Sequence, residues 1–199
     1  KQGRKNKRKT MIQSAKRIVI KIGSSLLVDE AGAVRARWLA AAAEDIAAIK
    51  AQEKEIIVVT SGAVALGRGL LGLGGKKLLL EEKQAAAACG QIALIAAWRD
   101  AFAAHGIKTA QLLLTADDSV ERRRYLNARG TIETLLEVGA IPIVNENDTV
   151  ATAEIRFGDN DRLAARVAQI AGANMLILLS GSDGLYSADP KKHKNAEFI

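Results

Sequence analysis

The chain has 199 residues, 49% of them apolar and 4% aromatic, with one cysteine and a formal net charge of +7. This composition supports one sizeable α/β domain and excludes a disordered chain, an internally disulfide-bonded module and an aromatic surface for single-stranded nucleic acid. No apolar run approaches the roughly 18 residues of a membrane span, and no apolar signal-peptide core follows the N-terminus. We therefore expect a cytoplasmic protein without a membrane or nucleic-acid partner.

The positive charge is concentrated at the N-terminus. Residues 1–10 carry six basic side chains and no acidic one, so the rest of the chain is close to neutral. Such runs of like charge are usually solvated and disordered. We predict a basic disordered tail over residues 1–15 and a folded domain over residues 16–199, and we favour this interpretation over an arm that binds nucleic acid.

Short apolar runs then alternate with longer helical patterns, which is typical of βαβ units and a largely parallel sheet. The predicted strands are Arg17–Ile22, Glu55–Thr60, Lys108–Leu114, Ala140–Val144 and Asn174–Ser180. The predicted helices are approximately Val34–Glu53, Ser61–Leu70, Glu81–His105, Asp118–Val138 and Asp159–Ala171. Asp117 or Asp118 is the expected N-cap of the fourth helix. The pattern predicts an α/β fold.

Two glycine patterns resemble nucleotide-binding motifs without meeting their requirements. Gly67, Gly69 and Gly72 have the G-x-G-x-x-G spacing, but the first glycine does not directly follow a strand. Lys76 follows a glycine, yet position 77 is lysine where a P-loop needs serine or threonine. We therefore predict neither a dinucleotide fingerprint nor a P-loop.

Polar residues mark the ends of the first two strands, where ligands bind in open α/β sheets. Lys21 is costly to bury unpaired, so we expect it at the ligand edge beside the turn at Gly23, whose N–H groups suit a phosphate. A lysine extending from an edge strand into solvent is the alternative. Ser61, Gly62 and Ala63 open a helix whose N-terminus suits an anion, although Ser61 could be an ordinary N-cap.

The fourth and fifth strands end in further polar residues. The fourth is followed by the segment Asn145–Thr149, and then by Asp159, Asn160 and Asp161 at a helix start. Capping accounts for one of these two acids, and the pair could orient lysines or hold Mg²⁺ through water. Ser180 follows the fifth strand. Together these strand ends predict one ligand site.

Five segments resemble the amino acid kinase family. They are VIKIGSSLL (19–27), VVTSGAVALGR (58–68), LLLT with LNARGT (112–115 and 126–131), PIVNENDTVATAEIRFGDNDRLAA (142–165) and LLSGSDGLYSADP (178–190). The fourth segment is similar to the members of the family that phosphorylate glutamate. The resemblance implies a three-layer αβα sandwich with a largely parallel central sheet. It also implies ATP-dependent phosphorylation of the γ-carboxylate of L-glutamate to L-glutamyl 5-phosphate, the first step of proline biosynthesis.

The resemblance further implies roles for individual residues. Catalytic roles fall on Lys21, Asp159 and Asp161, of which the two acids would organise lysines and the metal–phosphate region. ATP would contact Lys21, Gly23, Ser180 and Gly181. Glutamate would contact Ser61, Gly62, Ala63, Asn145, Asp148 and Asn160. ATP and Mg²⁺ are the expected cofactors, with no side chain assigned as a direct metal ligand.

The resemblance also carries expectations about partners and completeness. A homo-oligomer, feedback by proline and transfer of product to a glutamyl phosphate reductase are implied. Gly181 stands where the family commonly has an aspartate, and the family's kinase domain continues to a glycine-rich segment and a second lysine. We therefore expect the C-terminal part to be missing and this chain to be a poor kinase or none. Another amino acid kinase, acting on acetylglutamate, aspartate or carbamate, and a non-catalytic glutamate-binding fragment remain open.

Overall fold

The computed structural model describes residues 11–75, 77–150, 160–181, 184, 186–188, 193 and 195–199. The strands are β1 (Arg17–Ile22), β2 (Glu55–Val59), β3 (Thr109–Leu114), β4 (Ile141–Glu146) and β5 (Met175–Leu179). The helices are α1 (Ser24–Leu27), α2 (Ala36–Lys50), α3 (Ala63–Leu70), α4 (Leu80–Ala103), α5 (Arg122–Glu137) and α6 (Asn160–Ile170), with a 3₁₀ turn at Asp117–Ser119. In this part of the chain, no helix has the length and apolar character needed to cross a membrane.

The strands form one sheet in the order β3-β4-β2-β1-β5, and each neighbouring pair is parallel. Lys21 of β1 pairs with Val59 of β2 on one side and Leu178 of β5 on the other. Because every strand runs in the same direction, all five carboxyl ends lie at one edge of the sheet. The polar strand ends predicted to form one site therefore share that edge.

Helices cover both faces of the sheet. Alternate residues of β1 point to opposite sides, so Ile18 and Ile20 pack with α2, α3 and α4, whereas Val19 packs with α5 and α6. Burial on both faces explains why the central strands are nearly continuous apolar runs. The predicted three-layer αβα sandwich with a parallel central sheet is confirmed.

Helices α3 and α4 touch at two glycines. A Cβ atom at Gly67 would lie 1.7 Å from the carbonyl oxygen of Ala86, and one at Gly90 would lie 1.9 Å from that of Ala63. No side chain fits at either place, so the backbones of the two helices are in direct contact. Gly67, the first glycine of the apparent nucleotide pattern, therefore serves helix packing.

The predicted strands agree with the structure to within two residues at each end. The largest shift is in β4, which continues through Asn145 to Glu146, so Asn145 belongs to the strand rather than to the loop after it. Between β1 and α2 the structure has the short helix α1, which the sequence pattern did not predict.

The start of the fourth predicted helix was wrong. Helix α5 begins at Arg122 rather than at Asp118, and its N-cap is Glu121, whose carboxylate accepts hydrogen bonds from the backbone N–H groups of Arg123 and Arg124. Asp118 instead accepts from the backbone N–H and hydroxyl of Thr115, which holds the 3₁₀ turn. An acidic residue about one turn early therefore stabilises a different local structure, the 3₁₀ turn.

This cap predicts a pH-dependent stability. The two backbone hydrogen bonds from Arg123 and Arg124 lower the pKa of Glu121 from its usual value. A lowered folded-state pKa means that the stabilisation is complete above the unfolded pKa of about 4.3 and is lost as the pH falls through the lower folded value. We expect Glu121→Gln to lower the melting temperature at pH 7 and the difference to shrink below about pH 4. Glu44→Gln, an exposed change in α2, is the control and should alter neither. A constant difference across this range would contradict the cap's role.

The segment just before β1 is held against the domain. Ala15 is 4% exposed and belongs to the core, and the buried ammonium of Lys54 donates hydrogen bonds to the carbonyl oxygens of Gln13 (2.8 Å) and Ala15 (2.6 Å). The predicted tail covers residues 1–15, of which 1–10 lie outside the described residues. Its last residues are part of the packed domain, so the predicted boundary at residue 15 was too far along the chain.

Two deletions separate these parts of the N-terminus. Removing residues 1–10 should leave the melting temperature unchanged. Removing residues 1–15 should lower it, because Lys54 would keep a buried charge without its two carbonyl acceptors. Adding Lys54→Met to the longer deletion should recover part of the lost melting temperature, since it removes the buried charge that has lost its acceptors. Equal melting of the two deletions would show that this contact is unimportant.

Candidate active site

A cavity of about 910 Å³ opens at the carboxyl edge of the sheet. The helices after β2 pack on one face of the sheet and the helix after β4 packs on the other, and such a divergence opens a crevice between neighbouring strands. The cavity brings together nine of the predicted site residues: Lys21, Gly23, Ser61, Gly62, Ala63, Asn145, Asp148, Asn160 and Ser180.

Lys21 forms an ion pair at the floor of this edge. Its Nζ lies 2.7 Å from Oδ1 of Asp161, and the side chains are 8% and 42% exposed, respectively. Strand β1 lies between β2 and β5, so the alternative of a lysine reaching solvent from an edge strand is wrong. Pairing with the first turn of α6 permits the burial of this charge and fixes its position.

The ends of β1 and β5 meet beside this lysine. The backbone N–H of Gly23 donates to the carbonyl oxygen of Leu179 at 3.0 Å, next to Ser180. A Cβ atom at Gly23 would lie 3.8 Å from Nζ of Lys21, so glycine keeps the space over the ammonium open. Gly181 follows Ser180 but is not among the residues that line the cavity.

The N-terminus of α3 faces the cavity. Gly62 is its N-cap and has a φ of 107°, a conformation that glycine adopts readily. No side chain caps the helix, so the alternative of Ser61 as an ordinary N-cap is wrong. Ala63, Val64 and Ala65 line the cavity, and the first N–H groups of a helix have no partners within it. This end can therefore receive an anionic group.

A buried group of amides joins β2, β4 and α6. The Nδ2 group of Asn160 donates to the carbonyl oxygen of Thr60 and to Oδ1 of Asn145, the latter at 3.0 Å. Asn145 is 2% exposed, Asn160 is 9% exposed and Thr60 is fully buried. Two residues predicted to bind the same ligand are thus in contact with each other.

The cavity also contains charged residues that the sequence did not single out. The basic ones are Arg68 and Lys83, and the acidic ones are Asp29, Glu30 and Glu146. Asp29 sits in a tight hairpin, where its Oδ1 accepts from the N–H of Ala33 at 2.9 Å. The D-x-x-G spacing of Asp29 and Gly32 is typical of a turn, and it could have predicted the hairpin that lines this part of the cavity. With both signs of charge present, the cavity suits a ligand that carries both an ammonium group and carboxylates.

Besides Gly181, two other predicted site residues, Asp159 and Asp161, are not among the described residues that line the cavity. Asp159 lies outside the described residues, so its predicted role stays a prediction. Asp161 does not line the cavity and acts on it through Lys21. Among the residues described, no three acidic, histidine or cysteine side chains converge on a point that could hold a metal ion. Mg²⁺ in phosphoryl-transfer sites is usually held by one or two carboxylates together with substrate phosphates and water, so its place in this cavity stays a prediction.

Comparison with known proteins gives consistent results. The family model described as the amino acid kinase family matches residues 16–199. The chain is 65% identical over 189 residues to a glutamate 5-kinase of Paramagnetospirillum magneticum, covering 94% of this chain and 51% of that protein. A glutamate 5-kinase of Caulobacter vibrioides is 61% identical over 188 residues, with 94% and 50% covered. The chain thus spans about half the length of the curated relatives it matches.

The fold has a counterpart among solved structures. An isopentenyl phosphate kinase of T. acidophilum, solved as a product complex, aligns with a TM-score of 0.61 and 18% sequence identity. The alignment covers 90% of this chain and 76% of that one, and at this identity it bears on the fold alone. The family match extends over β1 to β5 and the cavity between them. The chain belongs to the amino acid kinase family.

Proposed function

We propose that the protein phosphorylates the γ-carboxylate of L-glutamate with ATP, giving L-glutamyl 5-phosphate for proline biosynthesis. The observation that carries the proposal is that one cavity holds Lys21 beside the β1–β5 ends and Ser61, Asp148 and Asn160 beside the β2–β4 ends. The 60–65% identity to glutamate 5-kinases supports this substrate. Related kinases acting on acetylglutamate, aspartate or carbamate, and a protein that binds glutamate without turnover, are separated by the experiment below.

On the acceptor side, the residues would bind and orient glutamate. Asp148 offers a carboxylate to the α-ammonium group, and Asn160 offers an amide beside it. Ser61, Gly62 and Ala63 at the N-terminus of α3 would receive a carboxylate. The reacting carboxylate is already ionised at pH 7, because the reference pKa of such a group is about 4.3. No general base is needed, and correct alignment is the main requirement.

On the donor side, Lys21 would neutralise charge on the transferring phosphoryl group. Its ammonium group is held by Asp161, and Gly23 leaves room for a phosphate over it. Ser180 would begin the nucleotide site, and Gly181 would continue it without a carboxylate. ATP supplies the phosphoryl group, and Mg²⁺ bound to its phosphates would supply further charge neutralisation. A glutamate oxygen then bonds to the γ-phosphorus as the bond to ADP breaks.

The product would be an acyl phosphate, a reactive mixed anhydride. A reductase that takes glutamyl phosphate is therefore the expected consumer, and proline is the expected feedback ligand. A homo-oligomer is part of the same proposal. The reductase is proposed because the product is reactive, whereas the proline feedback and the homo-oligomer are proposed on the family resemblance.

The function is tested by substrate choice. In a protein extended to the length of its relatives, we expect acyl hydroxamate from ATP, Mg²⁺, hydroxylamine and L-glutamate, and no comparable product from N-acetylglutamate, aspartate or carbamate. The 199-residue chain alone should give little or none. Titration calorimetry with L-glutamate tests the acceptor site independently of turnover. Binding of glutamate without hydroxamate or ADP would identify a non-catalytic binding protein. Equal product from another acceptor would overturn the assignment.

Asp148 provides the residue-level test. Asp148→Asn keeps the shape of the side chain and removes the charge that would face the ammonium group. We expect the Kd or KM for glutamate to rise by about tenfold or more, with ATP affinity unchanged. Asp45→Asn, an exposed change of the same charge on α2, should alter neither value. A loss confined to ATP would place Asp148 on the donor side.

A further inference from the structure

Five residues are linked by a chain of hydrogen bonds behind the cavity, which passes through both the hydroxyl and the backbone carbonyl of Thr60. Nε1 of Trp98 donates to Oγ1 of Thr60 at 3.0 Å, and Asn160 donates to the carbonyl oxygen of the same threonine. Asn160 also donates to Oδ1 of Asn145, whose Nδ2 donates to Oε1 of Gln91 at 2.8 Å. Helix α4 thus contributes both ends of this chain of hydrogen bonds, Trp98 and Gln91, which lie about two helical turns apart.

The direction of the bonds made by the two asparagines follows from one backbone group. The carbonyl oxygen of Thr60 can only accept, so the NH₂ group of Asn160 must point towards it. The second hydrogen of that NH₂ group then meets Oδ1 of Asn145, which leaves the NH₂ group of Asn145 facing Gln91. Rotating either asparagine amide by half a turn would oppose two donors or two acceptors in a buried place, which is costly.

Gln91 closes this chain without taking part in the cavity. It is half-buried on α4 and is not among the residues that line the cavity, whereas Asn145 and Asn160 both are. We propose that Gln91 is a positioning residue of the acceptor site: its side-chain oxygen holds the amide of Asn145 from one side, and the carbonyl oxygen of Thr60 holds that of Asn160 from the other. No ligand contact is required of Gln91 itself.

The consequence concerns the group that Asn160 offers to a ligand. Both hydrogens of its NH₂ group are directed at Thr60 and Asn145, so the polar atom left for the cavity is the carbonyl oxygen, an acceptor. An acceptor in the same cavity as Asp148 fits the α-ammonium group of an amino acid and disfavours an N-acylated one, which has a single N–H and added bulk. Gln91 therefore helps to select a free amino group. This inference rests on the proposed function for the identity of the ligand.

The test compares two replacements of similar size. Gln91→Glu retains an oxygen that can accept from Asn145, whereas Gln91→Met removes it. Calorimetry with L-glutamate should show Kd raised about tenfold for Gln91→Met and within about twofold of the parent for Gln91→Glu. ATP affinity should be unchanged in both. Where turnover is measured, KM for glutamate should rise while kcat stays nearly constant.

A second measurement does not depend on glutamate. In ¹⁵N–¹H correlation spectra, the side-chain NH₂ signals of Asn145 and Asn160 should stay in place in Gln91→Glu and shift or broaden in Gln91→Met. If the parent protein binds no glutamate but the spectra change as expected, the proposed function fails and the positioning role stands. Unchanged spectra in Gln91→Met, or equal loss of glutamate affinity in both variants, would overturn the positioning role.

Discussion

Lys21→Ala should lower kcat of the proposed phosphoryl transfer by about 10²–10³-fold in a protein extended to the length of its relatives, because one preorganised charge facing the reacting phosphoryl group typically contributes that much. The ammonium group lies 2.7 Å from Asp161 and is almost fully buried, so it is held in place before any ligand arrives. Charge on the transferred group is stabilised most strongly in the transition state, so we expect a smaller change in KM for glutamate. The measurement is steady-state hydroxamate formation.

The substitution also leaves a carboxylate of Asp161 without its partner, so stability must be followed alongside activity. Lys21→Met fills more of the space and tests whether the loss follows from the charge rather than from a cavity. Lys108→Ala removes an equal charge from an exposed position beside the start of β3, at the opposite edge of the sheet. It should leave kcat unchanged. Full activity of Lys21→Ala in a folded protein would mean that the catalytic centre lies elsewhere.

The sheet and its ligand edge were predictable because they follow from local patterns. Short apolar runs located each strand, and parallel topology places all strand ends together. Lys21 was conspicuous because a charge is rare in such a run. Arg68 carried no comparable signal, since charged residues on helix surfaces are ordinary, and the turn spacing around Asp29 indicates a turn but not a ligand.

The buried chain of amides could not be derived from the sequence. Gln91 is one polar residue in a long helix, and only the tertiary fold reveals that it faces Asn145 rather than solvent. The predicted start of α5 was wrong for a related reason. Asp118 and Glu121 could each cap a helix, and the hydrogen bonds from Thr115 to Asp118 leave Glu121 as the cap. The close approach of the α3 and α4 backbones could not be predicted either. In a helix, a glycine by itself indicates only a lower helix propensity.

Gly90→Ala is expected to destabilise the protein strongly although alanine is the better helix former. In an exposed helix the change should gain up to about 1 kcal/mol. At Gly90 the added Cβ would lie 1.9 Å from the carbonyl oxygen of Ala63 and 2.4 Å from the backbone nitrogen of Gly67, so a helix backbone must move. Overpacking of this kind costs about 3 kcal/mol or more, a loss on the order of 10 °C in melting temperature.

Gly130→Ala provides the matched control for this prediction. Gly130 lies inside α5, is exposed, and has nothing within 4 Å of the added Cβ. Its melting temperature should therefore rise slightly, so the same substitution should have opposite signs at the two positions. Because the atom displaced by Gly90→Ala belongs to Ala63, the first residue of α3 and part of the cavity wall, glutamate affinity should fall in that variant and not in Gly130→Ala. A Gly90→Ala protein that melts above the parent would show that α3 and α4 can separate at little cost, and that their contact does not set the position of the acceptor site.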